Sequence, residues 1–206
     1  MKLIGINGGT FDPIHNGHLR AALEVQVKLD LEEVRFIPCY QPVHRDRPMV
    51  SAQQRCEMVE LAIQDQPKFT LDRIEVERGG PSYMVDTLAT LKQKHVDAGL
   101  VLMMGTDAFS RFHTWHNWQE ILRLANVAVM HRPGDGLPLH SESGQILRAH
   151  QVVKFTQPSE QIVDVLITQL DVSSTAVRSH LQNDMPVDYL LPPQVNEYIK
   201  MHKLYQ

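Results

Sequence analysis

Short β-rich runs alternate with amphipathic stretches along most of the chain. Lys2 to Ile6 reads as a strand that runs into Gly8-Gly9. From His18 to Asp30, Leu19, Ala22, Leu23 and Val27 recur at helical spacing. Val34 to Pro38 predicts a second strand. Ser51 with Gln54 forms a capping box that opens a helix to about Gln64, with Cys56, Val59 and Ile63 on one face. Leu71 to Val76 reads as a strand on which Asp72, Glu75 and Glu77 form a solvated face, and Tyr83 to His95 reads as a helix. Leu100 to Met104 is almost wholly apolar, the pattern of a central parallel strand buried on both faces. A helical stretch from Thr114 to Ala125 and a strand from Val127 to His131 follow. Strands near 151–155 and 162–170, a helix from about Thr175 and a last helix after Pro192-Pro193 complete the pattern.

This alternation predicts a Rossmann-like, doubly wound α/β fold: a parallel sheet with helices on both faces. The 206 residues suit one domain, 1–206, with a small C-terminal helical extension from about 172. Two segments interrupt the regularity. Residues 38–50 hold Pro38, Pro42 and Pro48 with His44, Arg45 and Arg47, a stiff basic loop. Residues 132–145 hold Pro133, Gly134, Gly136 and Pro138 and read as a surface connection.

Composition narrows the function. Lys and Arg number 20 against 24 Asp and Glu, a net charge of −4. A general nucleic-acid or anionic-membrane binder would carry a basic excess. Phosphate chemistry here must use local donors. The two cysteines, Cys39 and Cys56, are too few for a disulfide framework. No apolar run approaches the roughly 18 residues of a membrane span. The first apolar run is shorter than the about 7–15 residues of a signal-peptide core, so the expected location is the cytoplasm.

The densest chemistry is Gly8-Gly9-Thr10-Phe11-Asp12-Pro13-Ile14-His15-Asn16-Gly17-His18. It follows the first strand and opens the first helix, at the sheet edge where open α/β folds bind ligands. The glycines let backbone N–H groups approach a phosphate, and a helix N-terminus offers donors and partial positive charge to an anion. His15 and His18 can face the same anion. The string is neither the dinucleotide G-x-G-x-x-G nor a Walker loop. A second helix start, Ser173-Ser174-Thr175 with Arg178 one turn further, adds hydroxyls and a fork of donors. Gly105-Thr106-Asp107 ends the central strand, where a carboxylate suits ribose hydroxyls. Trp115 suits stacking on a flat heterocycle, although Trp115 and Trp118 could equally form one helix face in the core. His113 and His116 lack a ligand cluster at metal spacing, so no protein metal site is expected.

G-G-T-F-D-P-I-H-N-G-H and S-S-T-A-V-R resemble the two signatures of nucleotidyltransferases with an H-x-G-H motif. Glu77 to Leu88, Gly105-Thr106-Asp107 with Trp115, and Arg132-Pro133-Gly134 narrow this to a resemblance with the bacterial nicotinate-nucleotide adenylyltransferase family. The matching segments run from about residue 4 to about 200, essentially the whole chain.

The resemblance implies that Gly8, Gly9, Thr10, Phe11, His15 and His18 form an ATP-phosphate loop. It implies a second phosphate motif at Ser173, Ser174, Thr175 and Arg178, with His15, His18 and Arg178 catalytic. Gly105 and Asp107 would take the ATP ribose. His44, Arg45, Tyr83, Met84, Trp115, His116 and Arg132 would bind the mononucleotide. Val43 stands where the family commonly has Pro, and Met84 where it commonly has Thr.

The implied substrates are ATP and nicotinate mononucleotide, with Mg²⁺ held mainly by ATP oxygens. No nucleic acid or membrane partner is implied, and an oligomer is left open. A phosphate neighbour would favour the cationic form of the histidines. Three rivals are a relative using nicotinamide mononucleotide or phosphopantetheine, a non-catalytic nucleotide sensor, and an NAD-dependent oxidoreductase. The last is disfavoured because its glycine fingerprint is absent.

Overall fold

The computed structural model describes residues 1–43, 47–131, 140–168 and 170–206. The first half holds β1 (Lys2–Gly9), α1 (Asn16–Lys28), β2 (Glu33–Pro38), α2 (Ala52–Ile63), β3 (Phe69–Leu71), α3 (Ile74–Arg78) and α4 (Met84–Lys94). β4 (Ala98–Gly105), α5 (Thr106–Phe109), a 3-10 turn (Phe112–Thr114), α6 (Trp118–Leu124) and β5 (Asn126–His131) follow. α7 (Glu142–His150), β6 (Ile162–Leu166), α8 (Ser174–Gln182) and α9 (Pro193–Met201) complete the order.

The strands form one sheet in the order β3-β2-β1-β4-β5-β6. β1 pairs parallel with β4, β4 with β5, and β5 with β6. The strand order reverses between β1 and β4, as in doubly wound α/β sheets. The predicted fold class is the observed one. Among the described residues no helix is long and apolar enough to cross a membrane.

The chain groups into two compact units. The first comprises Met1–Asn7, Ala21–Arg35 and Tyr83–Thr168. Its core is the apolar centre of the sheet, where Ile4, Ile6, Leu100, Val101, Val127 and Val129 are fully buried. The second comprises Gly8–Arg20, Phe36–Ser82 and Gln169–Gln206. Here Phe36 packs on Phe11 and Phe69, with ring centroids 5.9 and 5.0 Å away.

Several expected elements differ. The strand expected over Leu71 to Val76 ends at Leu71, and α3 begins at Ile74. Asp72 Oδ1 accepts the Ile74 N–H at 3.0 Å, an Asx cap that turns the chain into a helix. Glu75 is therefore buried and not part of a solvated strand face. In α1 the inward residues are Ala22, Val25 and Gln26, while Val27 is exposed. The surface connection expected to run to 145 gives way to α7, whose N-cap Ser141 accepts the Gly144 N–H at 3.1 Å. The strand expected near 151–155 is reduced to a single bridge between Gln151 and Ile162. The helix expected from Thr114 starts later, at Trp118, because Asn117 adopts a left-handed conformation with φ 52°. The capping box at Ser51 forms as expected.

Candidate active site

β1 delivers Gly8 and Gly9 into a loop that closes against the start of α1. Phe11, at φ 51°, turns back so that its ring covers Gly9 and meets the His18 ring edge-on at 5.2 Å. A Cβ on Gly9 would lie 3.0 to 3.3 Å from that ring. The glycine therefore makes room for an aromatic floor under the loop.

His15 and His18 stack, with ring centroids 3.6 Å apart and planes 20° from parallel. His15 N–H faces the His18 Nδ1, and His18 N–H faces the His15 Nδ1, each at 3.3 Å. A nitrogen that accepts carries no proton, so a neutral ring in this arrangement has its hydrogen on Nε2. Gly17 completes the motif: a Cβ there would sit 3.0 Å from the His15 Nδ1.

The second motif belongs to the same unit. Ser173 caps α8, its hydroxyl accepting the Ala176 N–H at 3.1 Å. Ser174 donates to the Pro13 carbonyl at 2.9 Å. Arg178 donates to the Asp12 carbonyl at 2.8 Å and to the Thr175 hydroxyl at 3.4 Å. The structure thus joins the two motifs, which lie some 160 residues apart in the chain.

Three residues that local pattern did not single out hold this loop. Asp12 is buried and accepts from the Tyr205 hydroxyl at 2.9 Å and from Met49 N–H at 3.0 Å. Arg55, 1% exposed, donates to the Thr10 carbonyl at 2.7 Å and to the Tyr40 carbonyl at 3.4 Å. Its place among Cys56, Met58 and Val59 on the buried face of α2 was the available signal. Tyr205 had none. Cys39 joins the cluster through its N–H to the Gly9 carbonyl, and burial pushes its thiol up, against the smaller opposing pull of Arg55.

The first unit carries Tyr83, Met84, Gly105, Asp107, Trp115 and His116. Gly105 caps α5 at the end of β4 and leaves Asp107 exposed in its first turn. Tyr83 caps α4 without a side-chain hydrogen bond, and Met84 is its first residue. Tyr83 stacks obliquely on His116, with centroids 4.6 Å apart. Trp115 sits in extended backbone after the 3-10 turn, half-buried, edge-on to Phe112 at 5.8 Å. Trp118 also meets Phe112 edge-on, at 6.0 Å. His113 is engaged by Ser143 at 2.9 Å and Glu142 at 3.4 Å. His44, Arg45 and Arg132 lie outside the described residues. Among the described residues no three His, Cys, Asp or Glu side chains gather as a metal site.

The cytidylyltransferase-like family matches residues 6–180. A protein of Hydrogenovibrio crunogenus, named "Probable nicotinate-nucleotide adenylyltransferase", is 62% identical over 205 residues, covering 100% of this chain and 98% of its own. The chain belongs to the nicotinate-nucleotide adenylyltransferase family. A relative of the same name from Methylococcus capsulatus is 43% identical, covering 98% of this chain and 99% of its own. Among solved structures, the nicotinic acid mononucleotide adenylyltransferase of Plasmodium falciparum complexed with NaAD superposes with a TM-score of 0.76 at 19% identity. It covers 100% of this chain and 98% of that one. At that identity the likeness speaks for the fold, and family membership rests on the bacterial relatives.

Proposed function

We propose that this nicotinate-nucleotide adenylyltransferase joins nicotinate mononucleotide to ATP, giving deamido-NAD and pyrophosphate for NAD synthesis in the cytoplasm. The observation that carries the reading is the His15–His18 stack at the start of α1, in a chain 62% identical to a full-length relative of that name.

The reaction needs little covalent help. A phosphate oxygen of the mononucleotide attacks the α-phosphorus in line. The new P–O bond forms as the bond from the α-phosphorus to the bridging oxygen of the β-phosphate breaks, and pyrophosphate leaves with that electron pair. The attacking phosphate is already ionised at neutral pH, so no general base is required. The barrier is repulsion between anions and charge growing on the phosphoryl oxygens, which fixed donors relieve.

Each group of residues has a part. The backbone of Gly8 to Thr10 and the Nε2–H groups of His15 and His18 serve the ATP phosphates, over the floor made by Phe11. Ser173, Ser174, Thr175 and Arg178 hold the departing pyrophosphate. Gly105 and Asp107 take the ATP ribose. Tyr83, Met84, Trp115 and His116, with His44, Arg45 and Arg132, receive the mononucleotide. ATP would enter as its magnesium complex, the ion supplying charge neutralisation at the phosphates, with no protein carboxylate cage needed to hold it.

The test is an acceptor panel with MgATP, following pyrophosphate. Release with nicotinate mononucleotide, and little with nicotinamide mononucleotide or phosphopantetheine, is the expected outcome. Release with none would mean a nucleotide sensor, and a preference for another acceptor would reassign the substrate.

A further inference from the structure

Asp12 is a carboxylate only 5% exposed, inside a loop assigned above to binding phosphates. Taken alone it is the wrong charge in the wrong place, because it would repel the anion the loop serves. Its surroundings resolve the conflict. Oδ1 accepts from the Tyr205 hydroxyl at 2.9 Å, and Oδ2 from the Met49 N–H at 3.0 Å. Arg178 approaches Oδ2 to 3.9 Å while donating to the Asp12 carbonyl at 2.8 Å. Asp12 thus ties the phosphate loop to three distant pieces of chain.

Tyr205 is the neutral member of this set, and its side chain is suited to the task. The residue is 4% exposed, and Leu204 beside it is buried and donates to the Ile199 carbonyl at the end of α9. A phenol buried this deeply needs a partner for its O–H, and Asp12 supplies it. Burial, then the Asp12 charge, push the Tyr205 hydroxyl far up, so it stays a donor across the working range. A phenylalanine would fill the same space and hold nothing.

We infer that Tyr205 is a positioning residue for adenylyl transfer: its hydroxyl fixes the Asp12 carboxylate and, through Asp12, the Arg178 guanidinium. The inference rests on the reading of this loop as the ATP site. Arg178 anchors on the carbonyl of the residue whose carboxylate Tyr205 holds. Release of Oδ1 leaves the carboxylate held by the Met49 N–H alone, and Arg178, still bonded to the Asp12 carbonyl, loses the fixed counter-charge 3.9 Å away that orients the rest of its guanidinium. Tyr205 is buried and acts through Asp12, so the consequence falls on ATP placement and leaves the mononucleotide KM alone.

The experiment uses Tyr205→Phe in the full chain, with three readouts: steady-state transfer, calorimetric affinity for α,β-methylene ATP, and thermal midpoint. Turnover falls about tenfold and analogue affinity about fivefold, while the mononucleotide KM stays within about twofold, the pattern of a misplaced ATP. In an Asp12→Asn background, Tyr205→Phe adds less than about twofold, because residues acting in series are not additive. A lowered midpoint with unchanged turnover and unchanged analogue affinity would overturn the inference, leaving Tyr205 a structural pin. Equal losses for both substrates, or additive effects in the double variant, would overturn it as well. If Asp12→Asn does not fold, the single variant decides by its split between the substrates. Analogue binding is independent of the acceptor, so the inference survives or fails even if the wild-type chain releases no pyrophosphate.

Discussion

His18 stacks on His15 at 3.6 Å, and each ring nitrogen Nδ1 faces the other residue's backbone N–H. The two imidazoles form one unit, each Nδ1 held against the other residue's backbone N–H. His18→Ala is expected to lower turnover by at least ~10²-fold, the scale of losing one transition-state donor. The circular dichroism and thermal midpoint should stay close to wild type, since His18 is only partly buried. Near-normal turnover would remove His18 from the phosphate site.

Gly17 tests the same unit from the backbone side. A Cβ there meets the His15 ring at 3.0 and 3.1 Å. Alanine is the better helix former by up to about 1 kcal/mol, so Gly17→Ala should fold well. Turnover should nevertheless fall about tenfold or more, because a small displacement of a catalytic donor is expensive. Comparison of thermal midpoint with kcat would show the two moving apart; unchanged kcat would mean the ring has room to shift.

Arg178→Lys should be impaired despite keeping the charge. Arg178 spans the Asp12 carbonyl and the Thr175 hydroxyl with separate nitrogens, and a single ammonium cannot keep both and also grip phosphate. Steady-state kinetics should show lower kcat and weaker apparent ATP affinity. Wild-type values for both would count against its role.

Acceptor choice follows from donors at helix starts. Tyr83 opens α4 and His116 precedes α6, while the Trp115 N–H is taken by the Phe112 carbonyl at 3.0 Å; backbone N–H groups at such helix starts suit a carboxylate. An amide would leave a buried group unpaired at about 1–3 kcal/mol, which predicts at least a ~10-fold preference for nicotinate mononucleotide in kcat/KM. Trp115→Ala should weaken the mononucleotide far more than ATP. Titrating both mononucleotides at saturating MgATP checks both statements, and equal efficiencies would sink the first.

A pH effect on stability comes from a different pair. Tyr198 of α9 donates to Glu57 of α2, which lowers the Glu57 carboxyl and helps push the Tyr198 hydroxyl, already raised by burial, up to about 12. A depressed carboxylate contributes stability above its unfolded pKa, and that contribution is lost as pH falls through its folded value. The partly exposed pair contributes no more than about 1 kcal/mol, a shift of roughly 2–4 °C. The midpoint gap between wild type and Tyr198→Phe should therefore hold from about pH 6 to 9 and close below about pH 4. A gap independent of pH would show that Glu57 is not the acceptor.

What the sequence made legible was chemistry confined to one stretch. Gly8 to His18 is contiguous, and the Ser173 cap with Arg178 one turn on needs only helical geometry. Arg178's place beside Asp12 was not legible, since no local pattern links positions 166 residues apart. Tyr205, at 193 residues from Asp12, is the extreme case. Leu71 to Val76 misled because Ile74 and Val76 alternate with Glu75 and Glu77 as in a strand, while the Asx turn at Asp72 leads into a helix. Ser141 was hidden for the opposite reason: its glycine- and serine-rich surroundings resemble a loop, yet its hydroxyl starts α7.

Those long ties set a timetable for the growing polypeptide. Asp12 leaves the ribosome early and Tyr205 emerges 193 residues later. At about 5–20 residues per second that interval is roughly 10–40 s. For all of it the nascent chain carries Gly8-Gly9 but lacks the phenol that meets Asp12, and for the first 166 residues it lacks the guanidinium as well. A messenger truncated in its last third would yield a chain that bears the Gly8 to His18 string and lacks the partners that hold Asp12.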